Sequence, residues 1–316
     1  MPHLSNVMTY AQLAEAGVST SAVRHRLTRG EWQRPLPGVI VTHSGTLTRR
    51  EQLEAALAYA GPSAVLSHRT AAEILQLGFP TAERVILTIP HEQRIVRGSG
   101  FTAHRSRLLT PEHITTRAGL PCTTVERTVV DLADATPKAS RALAVIADAV
   151  GSQRTTTQRI LDQVALHNRL RHRAVIQDAL AETRAGARSY LEVLHARICR
   201  NHGLPIGTRQ RRFEADGRVF FVDEVVEDYG LVTELDGHLG HEKLLERFRD
   251  MDRDNFHIDA GRLPIRLGWE DVLDRPCEVA RRRASNLRRL GWTGTVQSCG
   301  IGCSATDPMT GNDHVA

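Results

Sequence analysis

Apolar and polar positions alternate with two different periods along this chain, and the changes of period mark its elements. Tyr10–Ala16 carries helical spacing, and Gly17-Val18 is a tight turn. Ser19 or Thr20 is an N-cap for a second helix running to about Arg29. Its apolar positions Val23 and Leu27 lie four apart, which leaves Arg24, His25, Thr28 and Arg29 to other faces. Gly30 ends that helix, and Trp32 opens a two-stranded segment broken at Pro35-Leu36-Pro37-Gly38 and closed by Val39-Ile40-Val41. Thr48 is placed to cap a helix over 48–60, Ser67-His68 opens another, and Arg84–Pro90 reads as a strand. Residues 135–185 are helical, Arg-rich and poor in Gly, with Thr155-Thr156-Thr157 capping one helix.

From Gly186 the order becomes a helix to about Asn201, a strand pair around Thr208–Phe213, a hairpin, a helix ended by Gly261, a strand over Leu263–Trp269 and a last helix over Pro276–Leu290. The hairpin is the most informative stretch. Its apolar runs Val219–Val222 and Leu231–Leu235 each end in carboxylates, with a polar turn through Tyr229-Gly230 between them. The first strand delivers Asp223 at its tip. The second delivers Glu234 and, two residues on, Asp236 to the same face, because side chains alternate along a strand. Converging acids repel unless a cation sits between them, and hard oxygen ligands suit Mg²⁺ or Mn²⁺. A surface hairpin with solvated acids accounts for the same pattern.

The first 45 residues follow a helix, turn, helix, β-wing plan. In such a winged helix-turn-helix the second helix enters the major groove and basic residues touch phosphates. The DNA-facing candidates are Ser21, Arg24, His25, Thr28 and Arg29 on that helix and Arg34 on the wing. A small packing module that touches no DNA has the same outline. The stretch Leu13-x3-Gly17-Val18-Ser19, Val23-Arg24-x-Arg26-Leu27-x2-Gly30-x-Trp32 and Pro37-Gly38-Val39 resembles the N-terminal domain of the AbiEi-type antitoxins common in actinobacteria. The resemblance continues through 46–134 by way of Leu120-Pro121-Cys122-Thr123-Thr124 and Glu126-Arg127-Thr128-Val129-Val130-Asp131-Leu132-Ala133. It implies DNA binding and a possible cognate toxin or defence-system partner. His68 and His104 have no acid or Cys partner at interpretable spacing and are read as structural or surface groups. Arg127 and Asp131 are read as a helix-face ion pair.

Residues 186–294, with Ser189-x2-Glu192, Val222-Asp223, Glu234-Leu235-Asp236-Gly237, Arg253-Asp254-Asn255 and Gly268-Trp269, resemble the Vsr-like branch of the restriction-endonuclease fold. The resemblance implies a Mg²⁺-dependent (or Mn²⁺-dependent) endonuclease domain, a mixed sheet flanked by helices. Asp223 and Glu234 then take the metal-binding positions, and Glu192 is an additional acid. Asp236 stands where many relatives carry Lys, with His241 or Arg253 supplying the missing cation or proton transfer. Fold class is therefore α/β in the α+β sense: a winged helix-turn-helix (1–45), a mixed region (46–134), a helical connector (135–185), the nuclease-like domain (186–294) and a disordered tail (295–316). The competing expectation is a regulator or antitoxin whose nuclease fold is catalytically inactive.

Composition sharpens little of this. The 316 residues are 41% hydrophobic, and no run approaches membrane-span length, so the expectation is a cytoplasmic protein without a membrane partner. The net charge of +5 leans toward a polyanion, yet Lys138 and Lys243 are the only lysines, and an Arg bias also follows from a GC-rich genome. Five cysteines, an odd number, argue against a disulfide framework. Cys277, Cys299 and Cys303 can meet at the C-terminus, but Cys-x3-Cys with one distant third Cys matches zinc spacing poorly, so buried or redox-inert thiols are expected there ahead of a structural metal.

Overall fold

The computed structural model describes residues 6–96, 100–184, 190–215, 218–236 and 244–307, with side chains of 182–184, 215, 218 and 244–250 left aside. The fold is α+β. It divides into two compact units, residues 1–132 with 162–168, and residues 133–161 with 169–316.

The first unit begins with strand β1 (Val7–Thr9), helix α1 (Tyr10–Glu15) and helix α2 (Thr20–Thr28), followed by β2 (Gln33–Leu36) and β3 (Val39–Val41). Thr9 caps α1 in a reciprocal capping box with Gln12, and Ser19 caps α2 by accepting from the Ala22 N–H. The three strands pair antiparallel in the order β1-β3-β2. Leu13, Val23 and Ile40 form the core that ties the two helices to this sheet. Helix α3 (Arg49–Ala60), capped by Thr48, then packs Leu53, Ala56 and Ala60 into a larger core. Strand β4 (Val65–Leu66), helix α4 (His68–Ile74) and strands β5 (Val85–Pro90), β6 (Phe101–Ser106), β7 (Ile114–Arg117) and β8 (Leu120–Thr123) complete it, the strands forming a mixed sheet in the order β6-β5-β4-β8-β7. Helix α5 (Val125–Ala135) carries the expected Arg127–Asp131 pair at 2.8 Å. It is buried rather than on an open face, because the Arg127 guanidinium also donates to the Leu108 carbonyl and to Ser106.

The second unit contains α6 (Ala139–Gly151), part of α7 (Thr157–Leu166), α8 (Arg173–Arg184) and α9 (Tyr190–Asn201). Strands β9 (Thr208–Ala215), β10 (Arg218–Val226) and β11 (Leu231–Asp236), helix α10 (Leu244–Asp259), strand β12 (Leu263–Gly268) and helix α11 (Pro276–Arg289) follow. The sheet order is β12-β11-β10-β9, with β9, β10 and β11 an antiparallel meander and β11 parallel to β12 across the α10 crossover. Three expectations change here. Thr208–Ala215 is one strand rather than a strand pair. The 135–185 stretch is no free connector: α6 buries Ala142, Leu143, Val145, Ile146 and Ala149, and Ser140 donates to Asp274 near the start of α11. Residues 295–307 are not a loose tail, since the Gln297 N–H donates to the His202 carbonyl and Ala305 is buried.

Candidate functional site

The β9-β10-β11 meander sets the position of every acid. Glu224 pairs with Thr233 across β10 and β11, so continuing the register places Asp223 opposite Glu234. Opposed residues of an antiparallel pair share a face. Asp223 is not at a strand tip, as the sequence suggested, because β10 runs on to Val226. What carries the strand onward is Glu224, buried on the opposite side by a network of its own. Gly207 allows that close packing, since a Cβ there would lie 2.1 Å from the Val225 carbonyl oxygen.

Asp223 accepts from the Leu235 N–H at 2.7 Å and from the Gln210 side-chain amide at 3.0 Å. The same amide lies 3.5 Å from Glu192 on the first turn of α9, so Gln210 bridges the two carboxylates. Glu234 is buried, and its Oε1 has no hydrogen-bond partner among the described residues, although Arg253 of α10 approaches it at 3.6 Å. Burial and the neighbouring Asp223 push the Glu234 carboxyl up to about 7, against the opposing pull of Arg253 and Arg266. Asp236 ends β11, two residues beyond Glu234 and on the same face by alternation. His241 lies outside the described residues. Arg253 thus reaches the acids as one of the two cations the sequence offered for that role. Arg253 and Asp254 pair with strand residues, Asp254 with Arg266 at 3.1 Å, rather than only along their own helix.

The donors here are carboxylate oxygens, one of them buried without a hydrogen-bond partner among the described residues, and oxygen donors of this type are what a hard cation takes. Glu192, Asp223 and Glu234 are the side chains that would hold it.

Glu224 is the residue the sequence reading passed over. It pairs with His195 of α9 at 3.1 Å, with the Arg283 guanidinium of α11, and with the Gly207 N–H at 3.1 Å. Arg283 also donates to Thr233 at 2.8 Å and to the Pro205 carbonyl at 3.0 Å. Burial alone would raise the Glu224 carboxyl, yet His195 and Arg283 hold it down at about 2. Burial would likewise lower His195, but its bonds to Cys199 and Glu224 raise it to about 9. This is a structural network in which two cations enclose one carboxylate. Its only sequence signal is an acid next to Asp223 with opposite strand parity.

In the first unit, Ser21, Arg24, His25, Thr28, Arg29 and Arg34 are all exposed. Helix α2 contains Arg24, His25 and Arg26 and no acid. Arg29, its C-cap, is paired with Glu31 at 2.9 Å, a solvent-exposed contact of little energetic weight. Thr28 donates to the Arg24 carbonyl within the helix, and Ser21 contacts the capping Ser19 at 3.0 Å. Arg26 stacks 4.7 Å over Trp32, which fixes the strand pair against the helix. His68 and His104, read as lone groups, are not isolated from each other: their rings stack at 4.2 Å, and Asp131 acts on His104 electrostatically.

No family model matches this chain, and no curated protein matches it. A solved structure that aligns is the crystal structure of RV2827C protein from Mycobacterium tuberculosis, at 16% identity over 51% of this chain and 67% of that one. Its TM-score is 0.37, and the likeness carries no weight for fold or function. Among the described residues, no helix is long and apolar enough to cross a membrane.

Proposed function

We propose that this protein binds DNA through α2 and the β2-β3 wing and hydrolyses phosphodiester bonds with a Mg²⁺- or Mn²⁺-dependent centre at the β10-β11 acids. One observation carries the reading: Gln210 contacts both Glu192 and Asp223, and Glu234, opposite Asp223 on the next strand, keeps a buried oxygen with no hydrogen-bond partner among the described residues. Bound there, the cation would supply charge neutralisation and Lewis-acid activation for in-line attack at phosphorus. Gln210 orients two of the three carboxylates by donating to both. Arg253 offsets their charge, standing in for the Lys that many relatives of the resembled fold carry at the position of Asp236. Asp236, the last residue of β11, is a further acid. The exposed cations of α2 suit phosphate contacts, with Arg24 and Arg29 the main contributors.

A second reading has its own support. Both oxygens of Asp223 already accept from protein donors, and Arg253 already stands against Glu234. A centre so largely occupied by the protein's own donors fits a DNA-binding regulator or antitoxin-like factor, with a toxin or defence-system partner, whose nuclease-like fold is a platform. Plasmid cleavage in Mg²⁺ or Mn²⁺ separates the two. The nuclease reading expects nicking by the wild type, loss of nicking in Asp223→Ala, and unchanged or tighter DNA binding by that variant. Wild-type cleavage by Asp223→Ala would remove the metal-site assignment. DNA binding by a folded wild type that never cleaves would leave the regulator.

A further inference from the structure

A different set of groups meets on the other elements of the second unit. His202 follows the end of α9, Cys277 lies on the first turn of α11, and Cys299 and Cys303 belong to the segment after α11. One ligand atom from each of the four lies within 4.8 Å of every other. We propose that His202, Cys277, Cys299 and Cys303 form a structural zinc site that fastens the chain after α11 to the ends of α9 and α11.

The distances fit a tetrahedral ion. With Zn–S of about 2.3 Å and Zn–N of about 2.0–2.1 Å, tetrahedral geometry sets neighbouring sulfurs about 3.8 Å apart and sulfur to nitrogen about 3.6 Å apart. The Cys277 and Cys299 sulfurs are 3.6 Å apart, and the Cys303 sulfur is 3.6 Å from Nε2 of His202. A disulfide is excluded at that separation, because its bond is about 2.0 Å. The imidazole is set for the purpose. A carbonyl can only accept, so the 2.8 Å contact between Nδ1 and the Ile198 oxygen puts the proton on Nδ1 and leaves the Nε2 lone pair facing the sulfurs. The ring is 2% exposed, so this orientation is held by packing.

The surroundings say what the ion does. Four protein ligands leave no open position, which marks a structural rather than a catalytic site. Residues 293–307 contain no helix or strand, so no ladder of backbone hydrogen bonds holds them. They nevertheless lie close against α9: the Gln297 N–H donates to His202, and a Cβ at Gly203 (φ +65°) would come within 2.9 Å of the Gln297 side chain. Thiolates select zinc over Mg²⁺ or Mn²⁺, so this site and the acids of β10-β11 take different metals. The sequence pattern could not show this arrangement, because His202 is distant in sequence from Cys277, Cys299 and Cys303.

The test uses the untagged full chain, purified under reducing conditions. Elemental analysis should find about one zinc per chain. After exchange with Co²⁺ the protein should show the intense visible bands of a tetrahedral, thiolate-bound ion. Cys299→Ser and Cys303→Ser should lose the metal on dialysis against a chelator that leaves it in the wild type and in Cys122→Ala, whose thiol is buried in the first unit. The cobalt spectrum of the wild type decides the matter even if a variant fails to fold. Reduced wild type that retains no zinc and gives no tetrahedral cobalt spectrum overturns the proposal, as does full zinc retention by Cys303→Ser. Iron found in place of zinc overturns the choice of metal.

Discussion

Two buried glutamates of one strand pair, Glu224 on β10 and Glu234 on β11, meet opposite electrostatic fates. Glu224 is enclosed by His195, Arg283 and the Gly207 N–H and held at about 2. Glu234 has an orphaned oxygen, a neighbouring acid and a carboxyl raised to about 7. Burial is comparable, at 2% and 7% exposed, so it does not explain the difference. The difference lies in how many donors the fold supplies. Glu224 is a saturated structural carboxylate, whereas the proposed cation site would complete the partners that Glu234 lacks.

That contrast can be broken most severely from the saturated side. Arg283→Ala strands Glu224 in the interior and should cost about 3–5 kcal/mol, read from the midpoint of denaturant unfolding. A loss under about 1 kcal/mol would mean that the network carries little of the fold. The same network predicts a stability plateau. Glu224, lowered from 4.5 to about 2, contributes fully above about pH 4.5 and loses that contribution as pH falls toward 2. His195, raised from 6.5 to about 9, contributes fully below about pH 6.5 and loses it as pH rises through 9. Thermal melts across this range should fall off at both ends, and His195→Gln should remove the part of the fall that lies between about pH 6.5 and 9.

Glu234 has the reverse sign. Its carboxyl is raised from 4.5, so in the absence of a divalent ion the fold loses stability as pH rises from 4.5 through 7. Glu234→Gln should therefore raise stability at pH 8 by roughly 1–3 kcal/mol while changing little at pH 4.5. Equal effects at both pH values would show that the substitution acts through packing instead. The smallest effect on stability is expected at α2. Arg24→Ala should leave unfolding within about 0.5 kcal/mol of wild type. It should weaken DNA binding and reduce the slope of affinity against salt by about one. An unchanged salt slope would take Arg24 out of the phosphate contacts.

Much of the frame was legible because its signals are local. Ser19 and Thr48 cap the helices that their positions predict, and the Leu231–Asp236 strand follows from alternation. The convergence of Asp223 with Glu234 was legible too, because hairpin register is a short-range property. The partners of each acid were not. Gln210, Arg283 and Arg253 reach the hairpin from a neighbouring strand and two later helices, and no spacing rule links them. The stacked His68 and His104 were hidden for the same reason, since they start a helix and line a strand more than thirty residues apart. The 135–185 stretch read as a connector because Arg-rich helices look solvated, whereas α6 is buried along most of its length.

The central claim is that the β10-β11 acids form a divalent-cation site. Calorimetric titration of Mn²⁺ near pH 7 into the wild type and Glu234→Ala tests it most directly, run in two buffers of different ionisation enthalpy. The account predicts saturable binding by the wild type with proton release, because Glu234 is partly protonated at that pH, and loss of both in the variant. Identical titrations of the two proteins, or no binding by a folded wild type, would contradict it.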